Sequence, residues 1–94
     1  MSKKIKYTRW YEGDTYEIVP AYAGFIGMMC VDIRKVVHPN WKFFRSELVR
    51  IEYFNIDDFE TMEEGCDYCF DKYIKEYERV IARQKKLEKF FENA

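Results

Sequence analysis

The sequence predicts an α+β fold: an antiparallel sheet of three to four strands packed on one long C-terminal helix. Three observations carry this. Before residue 55, apolar and polar residues alternate in four short stretches, the period-2 signature of half-buried strands. From Thr61 onward apolar residues recur at steps of three and four with no proline, which traces one helical face. All the strands precede the helix, so no parallel crossover is required. The chain has 94 residues, 48% hydrophobic and 35% charged, and residues 1–94 read as a single α+β domain without linker or repeat.

The first strand, about 3–11, sets Ile5, Tyr7 and Tyr11 on one face and Lys4, Lys6 and Thr8 on the other. Gly13-Asp14 after Glu12 supplies a hairpin turn. The second strand, 15–22, is β-prone through Tyr16, Ile18 and Val19; Pro20 lacks an N–H and ends it or confines it to an edge. Gly24 and Gly27 bracket the start of the third, 27–36, where Met29, Val31 and Ile33 alternate with Cys30, Asp32 and Arg34. His38-Pro39-Asn40 is turn chemistry, and Trp41 to Arg45 is extended or irregular. The fourth strand, 47–54, has Val49, Ile51 and Tyr53 on one face and Arg50 and Glu52 on the other.

The helix is predicted over 61–91. Thr61 followed by Glu64 makes a capping box, and Phe59 sits where a hydrophobic staple would. Gly65 weakens it by ~1 kcal/mol relative to Ala. Such a helix is roughly 45 Å long, whereas short strands span only about 17–20 Å. Its distal part therefore outruns the sheet. Either it breaks near Arg83-Gln84 and folds back, or its apolar stripe meets another chain. The second alternative makes Val80, Leu87 and Phe91 the self-association residues of a homodimer.

Sixteen basic and seventeen acidic side chains nearly cancel. That excludes a generally basic nucleic-acid binder. The charge is nonetheless segregated: residues 51–71 hold eight acids and no base, between basic flanks. The helix dipole explains part of this, with acids at its positive end and Lys85, Lys86 and Lys89 toward its negative end. The remainder suggests an acidic partner-binding face of Asp57, Asp58, Glu60, Glu63, Glu64, Asp67 and Asp71. Such a track imitates phosphates and would release counterions from a basic groove.

Nothing in the sequence carries a catalytic signature. His38 is the only histidine, and no glycine loop has phosphate-binding spacing. The chain is expected to have no catalytic residue, no cofactor and no metal. Cys66 and Cys69 have C-x-x-C spacing but fall on the apolar stripe inside the helix, where they read as small buried hydrophobes. With Cys30 and His38 they reach the count of a zinc site without its usual second close ligand pair.

An alternative function is nucleotide or single-stranded nucleic-acid binding. Aromatic residues make up 19% of the chain. One basic-aromatic patch runs through Lys3, Lys4, Lys6, Tyr7, Arg9 and Trp10. A second comprises Trp41, Lys42, Phe43, Phe44 and Arg45. Rings that stack on bases beside cations that hold phosphates suit single strands, with Trp10, Trp41, Lys42, Phe43, Phe44 and Arg45 as the contact set.

No apolar run approaches the ~20 residues of a spanning helix. The basic start lacks an apolar signal core, and three cysteines fit reduced thiols. A cytoplasmic protein without membrane contact is expected.

The stretch from His38-Pro39-Asn40-Trp41 to Arg45, leading to Phe54-Asn55-Ile56-Asp57-Asp58-Phe59-Glu60-Thr61-Met62-Glu63-Glu64-Gly65, resembles short phage-encoded accessory proteins of low-GC Gram-positive hosts. The resemblance covers about a third of the chain. It implies a small protein made in the cytoplasm of an infected bacterium. Such a protein would bind and inhibit a host protein or ribonucleoprotein with a basic surface, including CRISPR or other defence factors (an anti-CRISPR-type role). It assigns no individual residue.

Overall fold

The computed structural model describes residues 5–21, 27–40 and 43–94, with side chains over 5–21, 27–37 and 45–94. Strands β1 (Tyr7–Tyr11), β2 (Asp14–Pro20), β3 (Met28–Asn40) and β4 (Phe43–Asn55) form one antiparallel sheet in the order β1-β2-β3-β4. A 3₁₀ turn, Ile56–Asp58, leads to helix α1 (Met62–Glu92), which packs across one face of the sheet. This is the α+β arrangement that the periodicities predict.

The β1–β2 turn lies one residue earlier than expected. Glu12 (φ 49°) and Gly13 (φ 82°) are its two central residues, and Asp14 already belongs to β2. Two consecutive left-handed residues match the twist of the flanking strands. Pro20 is the last residue of β2, an inner strand.

The largest departure from the expected strands is the β3–β4 hairpin. Each strand runs thirteen residues, so His38-Pro39-Asn40 continues β3 and Phe43 to Arg45 begins β4. β-branched and aromatic residues on both arms favour extended backbone. Pro39 is tolerated because β2 pairs with β3 only between Val31 and Lys35. Beyond Lys35, β3 pairs on one side alone among the described residues, and its register with β4 is irregular between Val37 and Asn40.

The core lies between the sheet and the first half of α1. Ile18, Val31, Ile33, Cys66 and Cys69 are fully buried, with Tyr16, Phe54 and Phe70 beside them. Rings then continue outward. Tyr16 meets Phe70 and Tyr73 (centroids 5.3 and 5.9 Å), and Tyr77 packs edge-on to Tyr11 at 6.4 Å. Much of the aromatic surplus is thus spent along the helix–sheet seam.

Two local findings revise the sequence reading. Gly65 is not merely a weak point, because a methyl group there would overlap the Phe54 ring. The bare backbone lets α1 approach β4 closely. On β4, the face turned to the helix is the polar one: Arg50 and Glu52 share it with Phe54, while Ile51 and Tyr53 face away and are about half exposed. Register passes from Ile33↔Arg50 to Arg34↔Leu48, which leaves Val49 as the extra residue of a β-bulge.

α1 is unbroken through Arg83-Gln84. The Thr61 hydroxyl accepts the Glu64 amide at its start (3.2 Å), as the capping pattern predicts. At its end the Asn93 amide donates to the Lys89 carbonyl.

Candidate interaction surfaces

The acidic residues do not form one continuous surface. Arg9 stands on the helix-facing side of β1 between Tyr7 and Tyr11, where an unpartnered charge would be costly. Its Nε donates to Asp67 at 2.7 Å and its Nη2 to Glu63 at 2.6 Å. The hydrogen bonds it donates to Asp67, and then to Glu63, raise the guanidinium above its ordinary range. Two of the seven expected partner-binding acids are therefore engaged within the chain. Arg9 leaves the basic-aromatic patch in which the sequence placed it. The signal was available: a cation on an apolar strand face needs an anion, and two acids four apart on a helix can straddle it.

The other five acids, Asp57, Asp58, Glu60, Glu64 and Asp71, are exposed. Asp57 and Asp58 sit in the 3₁₀ turn, where the Asp57 amide donates to Asn55 Oδ1 at 2.9 Å. Glu60 precedes the helix, and Glu64 and Asp71 lie on its proximal half.

A second charged cluster went unforeseen. Glu52 is a buried carboxylate, 7% exposed. It accepts from Arg50 Nε at 2.8 Å and pairs with Lys72 Nζ at 3.3 Å, while Arg50 also pairs with Glu76. Burial alone would raise Glu52, but the hydrogen bonds from Arg50 and Lys72 outweigh it and hold the carboxyl below its usual range. These four charges join β4 to the middle of α1.

The distal half of α1 is uncovered. Val80 and Leu87 are more than half exposed, and Phe90 and Phe91 are 64% and 74% exposed. An open groove of about 490 Å³ runs along it, lined by Val80, Arg83, Gln84, Lys86, Leu87 and Phe90. All three expected self-association residues thus face solvent, and Phe90 joins them.

A further apolar surface is the sheet face opposite the helix. By register, Trp10, Cys30, Leu48, Ile51 and Tyr53 occupy it, and Trp10 is 71% exposed. The nucleic-acid contact set is not assembled there. Trp10 and Arg45 lie on opposite edge strands, and register puts Arg45, paired with Val37, on the helix side. Trp41 and Lys42 lie outside the described residues, as do the side chains of Phe43 and Phe44.

Cys66 and Cys69 are buried in the core as small apolar side chains, whereas register puts Cys30 on the other face of the sheet. Burial pushes the Cys66 thiol up to about 11 and the Cys69 thiol up to about 12. Both are therefore held as poorly nucleophilic neutral thiols. The side chain of His38 lies outside the described residues. Among the described residues no three His, Cys, Asp or Glu side chains converge as a metal set would. No described helix is long and apolar enough to cross a membrane.

No family model, curated protein or solved structure matches the chain.

Proposed function

We propose that this chain is a non-enzymatic interaction protein that self-associates through the distal half of α1 and binds another macromolecule through its exposed acids. The observation that carries this reading is the continuous helix whose outer half holds Val80, Leu87, Phe90 and Phe91 in water. Contiguous apolar surface of this kind marks association sites. The acids around Asp57, Asp58 and Glu60, gathered at the positive end of α1, suit a basic partner surface. The resemblance to phage accessory proteins adds the partner's class: a host protein or ribonucleoprotein, such as a defence factor, that the chain would inhibit in a bacterial cytoplasm.

Sedimentation of the wild type and of a Val80→Ser, Leu87→Ser, Phe91→Ser variant tests self-association. Concentration-dependent dimers in the first and monomers in the second are expected; a wild type that stays monomeric at high micromolar concentration overturns this half. Capture from a Gram-positive lysate with wild type and with Asp57→Lys, Asp58→Lys, Glu60→Lys tests the other half. A salt-sensitive partner lost by the variant is expected, and identical capture by both overturns the acidic-surface reading.

A further inference from the structure

Charge on α1 is segregated across the helix as well as along it. From Tyr68, steps of four and three give Lys72, Lys75, Arg79, Arg83, Lys86 and Phe90. At 3.6 residues per turn these residues share one flank, and its cations span about 21 Å. All of them are exposed. Contacts identify this flank as the β4 side: Lys72 pairs with Glu52, and Arg83, Lys86 and Phe90 line one open groove. Glu76, which lies between this line and β4, is engaged by Arg50. The opposite flank lies toward β1. It carries Glu63, Asp67, Glu78, Glu88 and Glu92 against Lys85, with Glu63 and Asp67 on Arg9 and Glu78 on Tyr11.

Lys6, Arg9, Lys35, Arg50 and Lys72 each meet a carboxylate of the chain. Among the described residues Lys75, Arg79, Arg83 and Lys86 pair with none. Like charges three and four apart on a helix repel and weaken it. A polyanion laid along the flank would relieve that repulsion.

We infer that this flank binds the phosphate backbone of a single-stranded nucleic acid. Charge complementarity names the chemistry: a line of cations matches a line of phosphates, and counterions released from the strand drive the contact. The exposed rings of Tyr68 and Phe90, at the two ends of the line, offer faces on which unpaired bases stack. An anionic lipid surface fits less well, because a helix laid on it by the Val80, Leu87 and Phe91 stripe would bring Glu88 and Glu92 to the headgroups too. The inference goes beyond the self-association and acidic-surface readings and rests on neither. None of these residues belongs to the aromatic-basic contact set that the sequence suggested.

Fluorescence anisotropy of a labelled single-stranded oligonucleotide of about twelve nucleotides tests it. Affinity should fall with salt with a log–log slope of about −3, roughly 0.7 for each of the four unpaired cations. Arg79→Gln, Arg83→Gln and Lys86→Gln in one chain should weaken binding about ten-fold or more at low salt and flatten the slope to about −1. Lys85→Gln with Lys89→Gln removes two charges outside the flank and should leave affinity within about three-fold of wild type. All the altered residues are exposed, and circular dichroism checks that both variants fold. No binding by the wild type at low salt overturns the inference. Equal weakening by the two variants also overturns it, since attraction would then follow net charge alone. Tighter binding to a duplex of the same length, or binding to phosphatidylglycerol vesicles in place of the oligonucleotide, assigns the flank to another occupant and overturns it as well. Dimer formation is read separately by sedimentation, so failure here leaves the self-association reading standing.

Discussion

Arg9 and Asp67 lie 58 positions apart in the chain and meet through two guanidinium hydrogen bonds, at 2.7 and 3.2 Å. With Glu63 on the same guanidinium, this contact ties the edge strand β1 to the helix. The carboxylates are about half exposed, so the ionic part is screened and modest. The stem packing beneath it adds to the effect.

Arg9→Ala should therefore destabilise the fold by about 1 kcal/mol. It should also leave Glu63 and Asp67 unneutralised beside each other. Urea melts of wild type and variant at low and high salt check this, and the difference should shrink as salt rises.

Gly65→Ala should destabilise despite the better helix propensity of alanine. The gain of up to ~1 kcal/mol is opposed by overpacking against the buried Phe54 ring, typically ~1–3 kcal/mol. A double variant with Phe54→Leu should recover part of the loss by opening space. Thermal melts of the three proteins decide it.

Glu12 holds a left-handed backbone in a two-residue hairpin turn. Asparagine adopts that conformation more readily, and Asn-Gly is the favoured pair there. Glu12→Asn should stabilise by roughly 0.5–1 kcal/mol, the range of compatible turn repairs, visible as a raised midpoint in urea.

Two groups of titrating residues set the pH limits. Glu52 is held below its ordinary 4.5 in the folded chain. Its contribution is present above that value and is lost as pH falls through the folded one. Glu52→Gln should lower stability at neutrality and flatten the acid limb of a melting-temperature profile. Cys66 and Cys69 are raised from 9.0 to about 11 and about 12. Their neutral burial is fully favourable below 9.0 and is lost as pH climbs through the folded values. Melting temperature should fall across that alkaline window, and less so in Cys66→Ala and Cys69→Ala.

The sequence made the architecture legible where a single period dominates. Alternation around Val31 and Ile33 marked a strand, and the run from Met62 to Phe91 marked one helix, capped by Thr61. The length of the β3–β4 hairpin was hidden, because Pro39 reads as a turn unless one knows that β2 has already stopped pairing. The inward face of β4 was hidden because it carries Arg50 and Glu52. Their inward placement makes sense only once Lys72 and Glu76 arrive from the helix. Among the candidate surfaces, Val80, Leu87 and Phe91 were legible from helix length alone. The division of the acids was not, since pairing Arg9 with Glu63 and Asp67 requires knowing which strand face the helix covers.

Pairing of β2 with β3 stops at Tyr16 and Lys35, which gives β3 two zones of protection along one continuous strand. Val31 and Ile33 have neighbours on both sides and the helix above them, so their amides should exchange with deuterium only on near-global unfolding. Val36 and Val37, paired among the described residues with β4 alone, should exchange through smaller openings. The hairpin arm would then fray while the platform beneath α1 stays closed.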